Sequence, residues 1–115
     1  MANDFKNAIA QNVSNAAGGT TLYTTPATKT SIMLELDIAN TTFNVVEASV
    51  EILYSSVSAS AWRYLVKNAP VPSGGSLMVI AGQKIVLEAG DKVRVTSSAA
   101  SVMDAVAAIL EDVNS

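Results

Sequence analysis

Alternation of apolar and polar residues with a period of two is the feature that most constrains the fold of this chain. The pattern runs through residues 30–39 and again through residues 45–54. Because successive side chains of a β-strand point to opposite sides, it predicts two strands, each with one buried face. The Asn and Thr residues between the two segments suit a turn, so we expect the strands to form a hairpin. The predicted inward residues are Ile32, Leu34, Leu36, Ile38, Val46, Ala48, Val50 and Ile52, whereas Met33, Leu53, Leu65 and Met78 fall at outward positions.

Further strand-like segments follow at short spacing, separated by Gly, Pro and Asn. Short strands with turn signals about every 8–12 residues are typical of antiparallel β-sandwiches. We therefore predict an all-β protein, an antiparallel β-sandwich of jelly-roll or immunoglobulin-like type with seven to eight short strands and an N-terminal extension. The additional predicted strands are residues 20–25, 61–67, 76–81, 84–88 and 92–97.

The strand that contains the only tryptophan of the chain has two distinct faces. Alternation places Trp62, Tyr64 and Val66 together, and core packing is favoured there over a platform for stacking carbohydrate. Arg63 and Leu65 fall on the opposite face and are candidate contacts with another protein. The two prolines that follow favour an edge strand or an irregular connection.

The N-terminal segment has two interpretations. Phe5, Ile9 and Val13 recur at helical spacing among Asn, Ala and Gln residues. They belong either to a first strand or short helix packed on its own domain, or to an arm that packs on a neighbouring subunit, with the following glycine pair as its hinge. The chain is accordingly divided into an N-terminal arm or first element, residues 1–19, and a β-sandwich domain, residues 20–115.

The Ala-rich segment 99–113 is compatible with either a helix or a strand. Ser101 and Asp104 resemble a capping box, which favours a helix. The alternation from Met103 to Ile109 favours a strand instead. Because the sandwich needs a closing strand, we predict a strand from Ala105 onward.

The composition excludes several classes of function. The chain has no His and no Cys, which removes imidazole and thiolate metal sites and catalysis based on either residue. Seven Lys and Arg residues without a basic run, and a net charge of −3, argue against nucleic acid as a partner. We expect no enzymatic activity, no cofactor, no metal and no small-molecule substrate.

Four carboxylates would project from the predicted hairpin on one face, namely Glu35, Asp37, Glu47 and Glu51. Such a group suits a calcium site or a glycosidase pair. A solvated, charged sheet face is favoured, because no calcium-loop pattern accompanies the four residues. A basic partner surface would also relieve their repulsion.

Neither a membrane span nor a secretion signal is predicted. The longest apolar stretches, residues 77–81 and 105–110, are far shorter than the roughly 20 residues that cross a bilayer. The N-terminus has no apolar signal-peptide core, so we expect synthesis in the cytoplasm, no Sec-type export and no membrane partner.

Two motifs carry a resemblance to a known class. The sequence YLVKNAPVP at residues 64–72 and the sequence VLEAGD at residues 86–91 follow a Thr-rich strand that ends at Pro26. In this order they resemble small structural proteins of tailed-bacteriophage virions, in particular capsid decoration (cement) proteins. The resemblance implies a β-sandwich that assembles on a phage particle. Neck, tail or baseplate components are the alternative that it leaves open, and a carbohydrate-binding module is a more distant one.

A cement protein binds the assembled shell and stabilises the joints between major capsid subunits by mass action. The resemblance therefore implies two partners, the major capsid protein and further copies of this chain, and a trimer is one arrangement that suits three-fold joints. The implied location is the capsid surface of the virion, after synthesis in the host cytoplasm. The candidate interface residues are Phe5, Ile9, Val13, Arg63 and Leu65.

Overall fold

Two antiparallel four-stranded β-sheets, packed face to face, form the part of the chain that the computed structural model describes, residues 4–16, 18–55 and 61–111. Sheet 1 has the strand order β1-β8-β3-β6, and sheet 2 has the order β2-β7-β4-β5. The predicted all-β antiparallel sandwich is thus confirmed. The strands are β1 (Asp4–Ala10), β2 (Thr20–Thr24), β3 (Ser31–Asn40), β4 (Val46–Leu53), β5 (Trp62–Val71), β6 (Ser76–Leu87), β7 (Lys92–Ser97) and β8 (Met103–Glu111).

The strand pairing is nested. β1 pairs with β8, β2 with β7, β3 with β6 and β4 with β5, while β3–β8 and β4–β7 pairs complete the two sheets. Every connection except that between β4 and β5 therefore crosses from one sheet to the other. The predicted hairpin between β3 and β4 is wrong, because these strands lie in different sheets. Alternation identifies a strand and its buried face, but it does not identify the neighbour with which the strand pairs.

The core lies between the sheets and takes alternate residues from each strand. On β8, Met103, Ala105, Ala107 and Ile109 are all buried while Val106 is exposed. The predicted closing strand is therefore confirmed, and it begins two residues earlier, at Met103. The largest fully buried side chains are Met33, Leu36, Ile38, Ile52, Ile80, Leu87, Met103, Ile109, Val13, Val50, Val71 and Val93.

A β-bulge in β3 reverses the predicted orientation of its first half. The register against β8 shifts between Met33 and Glu35, so that Leu34 is an extra residue. Met33 is consequently buried in the core, as is Leu36 three positions later, whereas Ile32 is only half-buried. The prediction that Met33 points outward is wrong, because strict alternation cannot continue through a bulge.

Three other predictions need correction. Leu53 is buried, and Leu65 is half-buried and packs against the core, so neither is an exposed outward residue. The two strands predicted for residues 76–81 and 84–88 form one strand, β6, with an irregular register against β3 near Gly82. Met78 is exposed, as predicted.

The N-terminal segment forms an edge strand and not a helix. β1 pairs along its whole length with β8, from Asp4 opposite Glu111 to Ala10 opposite Ala105. Beyond β1, Val13 is fully buried in the core, and its backbone N–H donates a 2.9 Å hydrogen bond to the carbonyl of Met103. Of the two interpretations, the structure shows the first strand packed on its own domain.

Candidate interaction surface

Exposed apolar side chains form two rows on the outer surface of sheet 1. Residues directly opposite each other in antiparallel strands share a face, so the cross-strand registers define the rows. One row consists of Phe5, Leu110, Ile32 and Val86, and the other consists of Ile9, Val106, Asp37 and Met78. We call the apolar part of this surface the sheet-1 face: Phe5, Ile9, Ile32, Met78, Val86, Val106 and Leu110.

The sheet-1 face concentrates the exposed apolar surface of the protein. Among the described residues, eight large apolar side chains are exposed, and five of them belong to this face. Single exposed apolar residues are ordinary, whereas several on one surface make that surface a candidate for binding. The five exposed fractions are 77% for Phe5, 69% for Ile9, 64% for Met78, 54% for Val86 and 48% for Val106.

Two acidic residues lie within this surface. Glu35 lies between the two apolar rows, opposite Ala81 and Ala108. Asp37 belongs to the row of Ile9. A hydrogen bond with Asp37, and then repulsion from the same carboxylate, raise the pKa of Glu35. The Oδ1 atom of Asp37 is buried and accepts no hydrogen bond from the described part of the chain. The two acids thus hydrogen-bond each other, and neither forms an ion pair with a cation in the described part of the chain, so a cationic group on a partner could pair with them here.

The outer surface of sheet 2 is different, because two of its charged groups, Arg94 and Glu51, are paired with each other. Arg94 donates two hydrogen bonds of 3.0 Å to the carboxylate of Glu51, and its guanidinium lies 3.8 Å from the centre of the Trp62 ring. Tyr64 is half exposed on the same side, with the Lys67 ammonium 5.3 Å from its ring centre. The predicted core packing of Trp62 and Tyr64 is therefore wrong.

The register of β5 explains that error. Tyr64 lies opposite Glu51, which faces outward, whereas Val66 lies opposite Val50, which faces the core. A register irregularity separates the two pairs, so Tyr64 and Val66 do not share a face. Since a guanidinium covers one side of the Trp62 ring, that side is not open for a sugar to stack on it.

The four carboxylates that the sequence places together are separated. Glu35 and Asp37 belong to sheet 1, whereas Glu47 and Glu51 belong to β4 in sheet 2. The prediction of a single acidic face depended on the β3–β4 hairpin and fails with it. Within the described ranges, no group of three acidic residues is arranged to hold a metal ion.

The predicted interface residues divide into three groups. Phe5 and Ile9 lie together on the sheet-1 face, at the edge that β1 forms. Arg63 is exposed on β5, at the far edge of the other sheet, and Leu65 packs against the core. Val13 is a core residue of its own chain. The structure thus brings only two of the five together.

Sequence reasoning missed the rest of the face for identifiable reasons. Met78 was assigned outward correctly, but β6 could not be placed beside β3 from the sequence alone. The signal for Val106 was present, because it alternates with buried alanines on β8. Combining these residues requires the strand order, which no local pattern contains.

The loop between β3 and β4 presents an apolar tip on a fixed backbone. Phe43 is 99% exposed. Beneath it, the buried Asn40 side chain donates hydrogen bonds to the carbonyls of Asn44 (2.7 Å) and Val71 (3.1 Å) and accepts one from the N–H of Thr42 (3.0 Å). A fixed loop loses little entropy on binding, so this tip is a candidate contact point of low entropic cost.

At the end of the sandwich opposite the β3–β4 loop, the buried carboxylate of Glu111 connects several strands. Glu111 accepts a hydrogen bond from the Tyr23 hydroxyl and forms a 3.2 Å ion pair with Lys6. Tyr23 also lies 2.8 Å from the Ser31 hydroxyl. The hydrogen bond from Tyr23, together with Lys6, lowers the pKa of Glu111 against the opposing effect of burial. Burial, followed by the bond to Glu111, raises the pKa of Tyr23. These contacts join β1, β2, β3 and β8.

A shallow pocket of about 160 Å³ lies beside β1 and is lined by Phe5, Lys6, Asn7, Ala108 and Ile109. It is smaller than the roughly 300 Å³ at which small-molecule sites begin.

In the described part of the chain, no helix has the length and apolarity that a membrane span requires. Comparison of the chain with protein-family models, curated proteins and solved structures found no match. The surfaces described above therefore carry the functional conclusion.

Proposed function

We propose that this protein is a non-enzymatic structural subunit that docks on a larger assembly through the sheet-1 face. Following the sequence resemblance, the proposed assembly is the virion of a tailed bacteriophage, and the proposed role is that of a capsid decoration protein on the major capsid protein. The observation that carries the proposal is the concentration of exposed apolar side chains on one outer sheet surface.

The size of the sheet-1 face limits how strongly one such contact can bind. Four strands about 4.8 Å apart, with two rows separated by about 13 Å, give a patch of a few hundred Å². This is less than the roughly 800 Å² that each partner contributes to a standard stable interface. A single contact of this size is weak, so stable docking requires a further contact made by the same subunit, such as one at the exposed Phe43.

The strand order supports a more specific proposal about the fold. We propose the jelly-roll type over the immunoglobulin-like type, because the first strand pairs with the last and each inner strand pairs with its counterpart. Jelly rolls are frequent in viral capsids, but a fold does not define a function. The topology is therefore compatible with the proposed role and does not carry it.

The chemistry of the face specifies what the partner surface should contain. Burying Glu35 and Asp37 beside apolar side chains costs free energy unless a cation pairs with them. The proposed partner surface is therefore apolar with a Lys or Arg near its centre. This complementarity would orient the docked subunit, because a displaced contact would leave the acids unpaired.

The experiment is to measure this protein in purified particles of the phage that encodes it. A decoration protein should occur in a copy number comparable with that of the major capsid protein, whereas a neck, tail or baseplate component should occur in a low number set by tail symmetry. Val86→Lys and Met78→Lys should lower occupancy, because each places a charge on the sheet-1 face.

The matched control is Tyr64→Lys, which changes an exposed apolar residue on the outer surface of sheet 2. It should leave occupancy unchanged. Absence of the protein from particles, or an equal loss of occupancy for control and test variants, would contradict the proposal.

A further inference from the structure

Within the described part of the chain, β1 forms a sheet edge that is less protected against pairing with another strand than the other three edges. Exposed strand edges are commonly blocked by proline, outward charge, shortness or a bulge. β5 carries Pro70 together with Arg63 and Lys67, β2 has only five residues and a register shift, and β6 has Lys84 within an irregular stretch. β1 pairs regularly over seven residues, contains no proline and exposes Phe5 and Ile9.

We propose that β1 pairs antiparallel with β1 of a second copy of this chain, about a two-fold axis at Asn7. The two copies of sheet 1, each with four strands, then form one continuous eight-stranded sheet. The occupant of the edge is the same strand of an identical chain. This inference does not depend on the proposed virion role.

The sequence of β1 selects one register for this pairing. A two-fold axis perpendicular to the sheet keeps each residue on its own face, so outward residues must lie opposite outward residues. Centring on Asn7 pairs all seven residues, with Phe5 opposite Ile9 of the second copy and Ile9 opposite its Phe5. Apolar cross-strand pairs of this kind stabilise antiparallel sheets.

The neighbouring registers are less favourable. Centring on Lys6 places two ammonium groups opposite each other, and like charges in directly opposed positions destabilise a sheet. Centring on Ala8 places Asn7 opposite Ile9 and leaves Phe5 beyond the paired strand. Of these three registers, the one centred on Asn7 pairs all seven residues, matches apolar with apolar and opposes no charges of like sign.

Lys6 does not prevent the pairing. Its ammonium forms a 3.2 Å ion pair with the buried Glu111 of its own chain, so its charge is compensated there. In the Asn7 register, Lys6 lies opposite the small side chain of Ala8. Asp4, the other charged residue of the strand, lies opposite Ala10, so this register brings no like charges together and the edge is self-complementary.

The first test is the mass of the purified protein in solution, measured by light scattering and sedimentation over a wide concentration range. We expect a concentration-dependent dimer with twice the 11.9 kDa mass of the chain. F5K/I9K places Lys opposite Lys twice in the dimer and should weaken dimerisation by roughly tenfold or more. F5K/I9E places Lys opposite Glu twice and should restore it. Tyr64→Lys, at an exposed position on the outer surface of sheet 2, should have no effect.

A second test uses the absence of cysteine from the chain. Asn7→Cys should form a disulfide-linked dimer on mild oxidation, because the two copies of residue 7 are directly opposed. Phe5→Cys alone should not, because its two copies lie about 13 Å apart, but a mixture of Phe5→Cys and Ile9→Cys proteins should form the mixed dimer.

A monomeric or trimeric wild type would overturn the proposal. So would equal dimerisation of F5K/I9K and F5K/I9E, or cross-linking of Phe5→Cys with itself as efficient as that of Asn7→Cys. Because both wild-type positions are exposed, the variants should fold, and circular dichroism checks this. None of these measurements uses phage particles. A negative result here would therefore contradict the dimer and leave the proposed virion role to be tested by the particle experiment.

Discussion

The bulge in β3 makes a quantitative prediction about two methionines in sheet 1. Strict alternation would place Met33 and Met78 both on the outer surface, but the structure buries Met33 completely and leaves Met78 64% exposed. Met33→Ala and Met78→Ala therefore delete the same atoms from opposite faces of one sheet. The two variants differ only in burial, which makes each a control for the other.

Removing a fully buried Met side chain costs the transfer free energy of its atoms and leaves a cavity, together about 2–5 kcal/mol. Met33 lies opposite Ile85 and Ile109 on the neighbouring strands, so its loss leaves a cavity at the centre of sheet 1. We expect a loss of about 3 kcal/mol in the free energy of unfolding for Met33→Ala. For Met78→Ala, at an exposed position, we expect a change within about 0.5 kcal/mol.

Urea unfolding followed by circular dichroism measures this difference. With a slope of about 2 kcal/mol per molar urea, the midpoint of Met33→Ala should fall by about 1.5 M, while that of Met78→Ala should stay within about 0.3 M of wild type. Leu34→Ala should cost less than Met33→Ala, because Leu34 is the half-buried extra residue of the bulge. Equal small losses for both methionines, or a larger loss for Leu34→Ala than for Met33→Ala, would show that the bulge is misplaced.

Three further predictions concern buried polar groups. Because the pKa of Glu111 is lowered from 4.5, its carboxylate stabilises the fold above that pH and loses this contribution as the pH falls toward the folded-state pKa. Urea titrations from neutral to acidic pH should therefore show a weaker pH dependence for Glu111→Gln than for wild type. Arg94→Met should cost about 2 kcal/mol by leaving Glu51 unpaired, and the loss of its stacking should alter the fluorescence of Trp62, the only tryptophan; unchanged emission would contradict the stacking. Asn40→Ala should cost about 2 kcal/mol in urea unfolding by releasing the loop bonds, and an unchanged midpoint would show that they are dispensable.

The sequence predicts strands well where one face of a strand is buried without interruption. β8 is the clearest case, since helix propensity favoured the wrong structure and the alternation from Met103 to Ile109 favoured the right one. The same reasoning failed at Met33, because a bulge changes the phase of the alternation without a marker in the residue types. It failed again at Tyr64 and Val66 for the same reason.

The candidate surface was predictable only in part. Phe5 and Ile9 are predicted as interface residues from their helical spacing, and the structure shows them exposed on one face of β1, since a separation of four residues also suits one face of a strand. Their neighbours Val106 and Met78 come from strands far apart in the chain, which only the nested pairing brings together. A surface built across four strands is a property of the topology, and the strand order had to be known before it could be found.

The two acids of the sheet-1 face, Glu35 and Asp37, should disfavour face-to-face stacking of two copies of the chain. If two copies stacked face to face, a two-fold axis through the middle of the face would bring Glu35 and Asp37 near their own counterparts, where four carboxylates would repel one another. Pairing through the β1 edge avoids this, because it keeps the faces side by side and oriented toward the same side. The proposed dimer would therefore present both faces, each with its pair of acids, to one partner surface. If Glu35 and Asp37 act in this way, E35A/D37A should add a second, face-to-face mode of self-association. Sedimentation would detect this mode as species larger than the dimer, and its persistence in the F5K/I9K background would separate it from edge pairing.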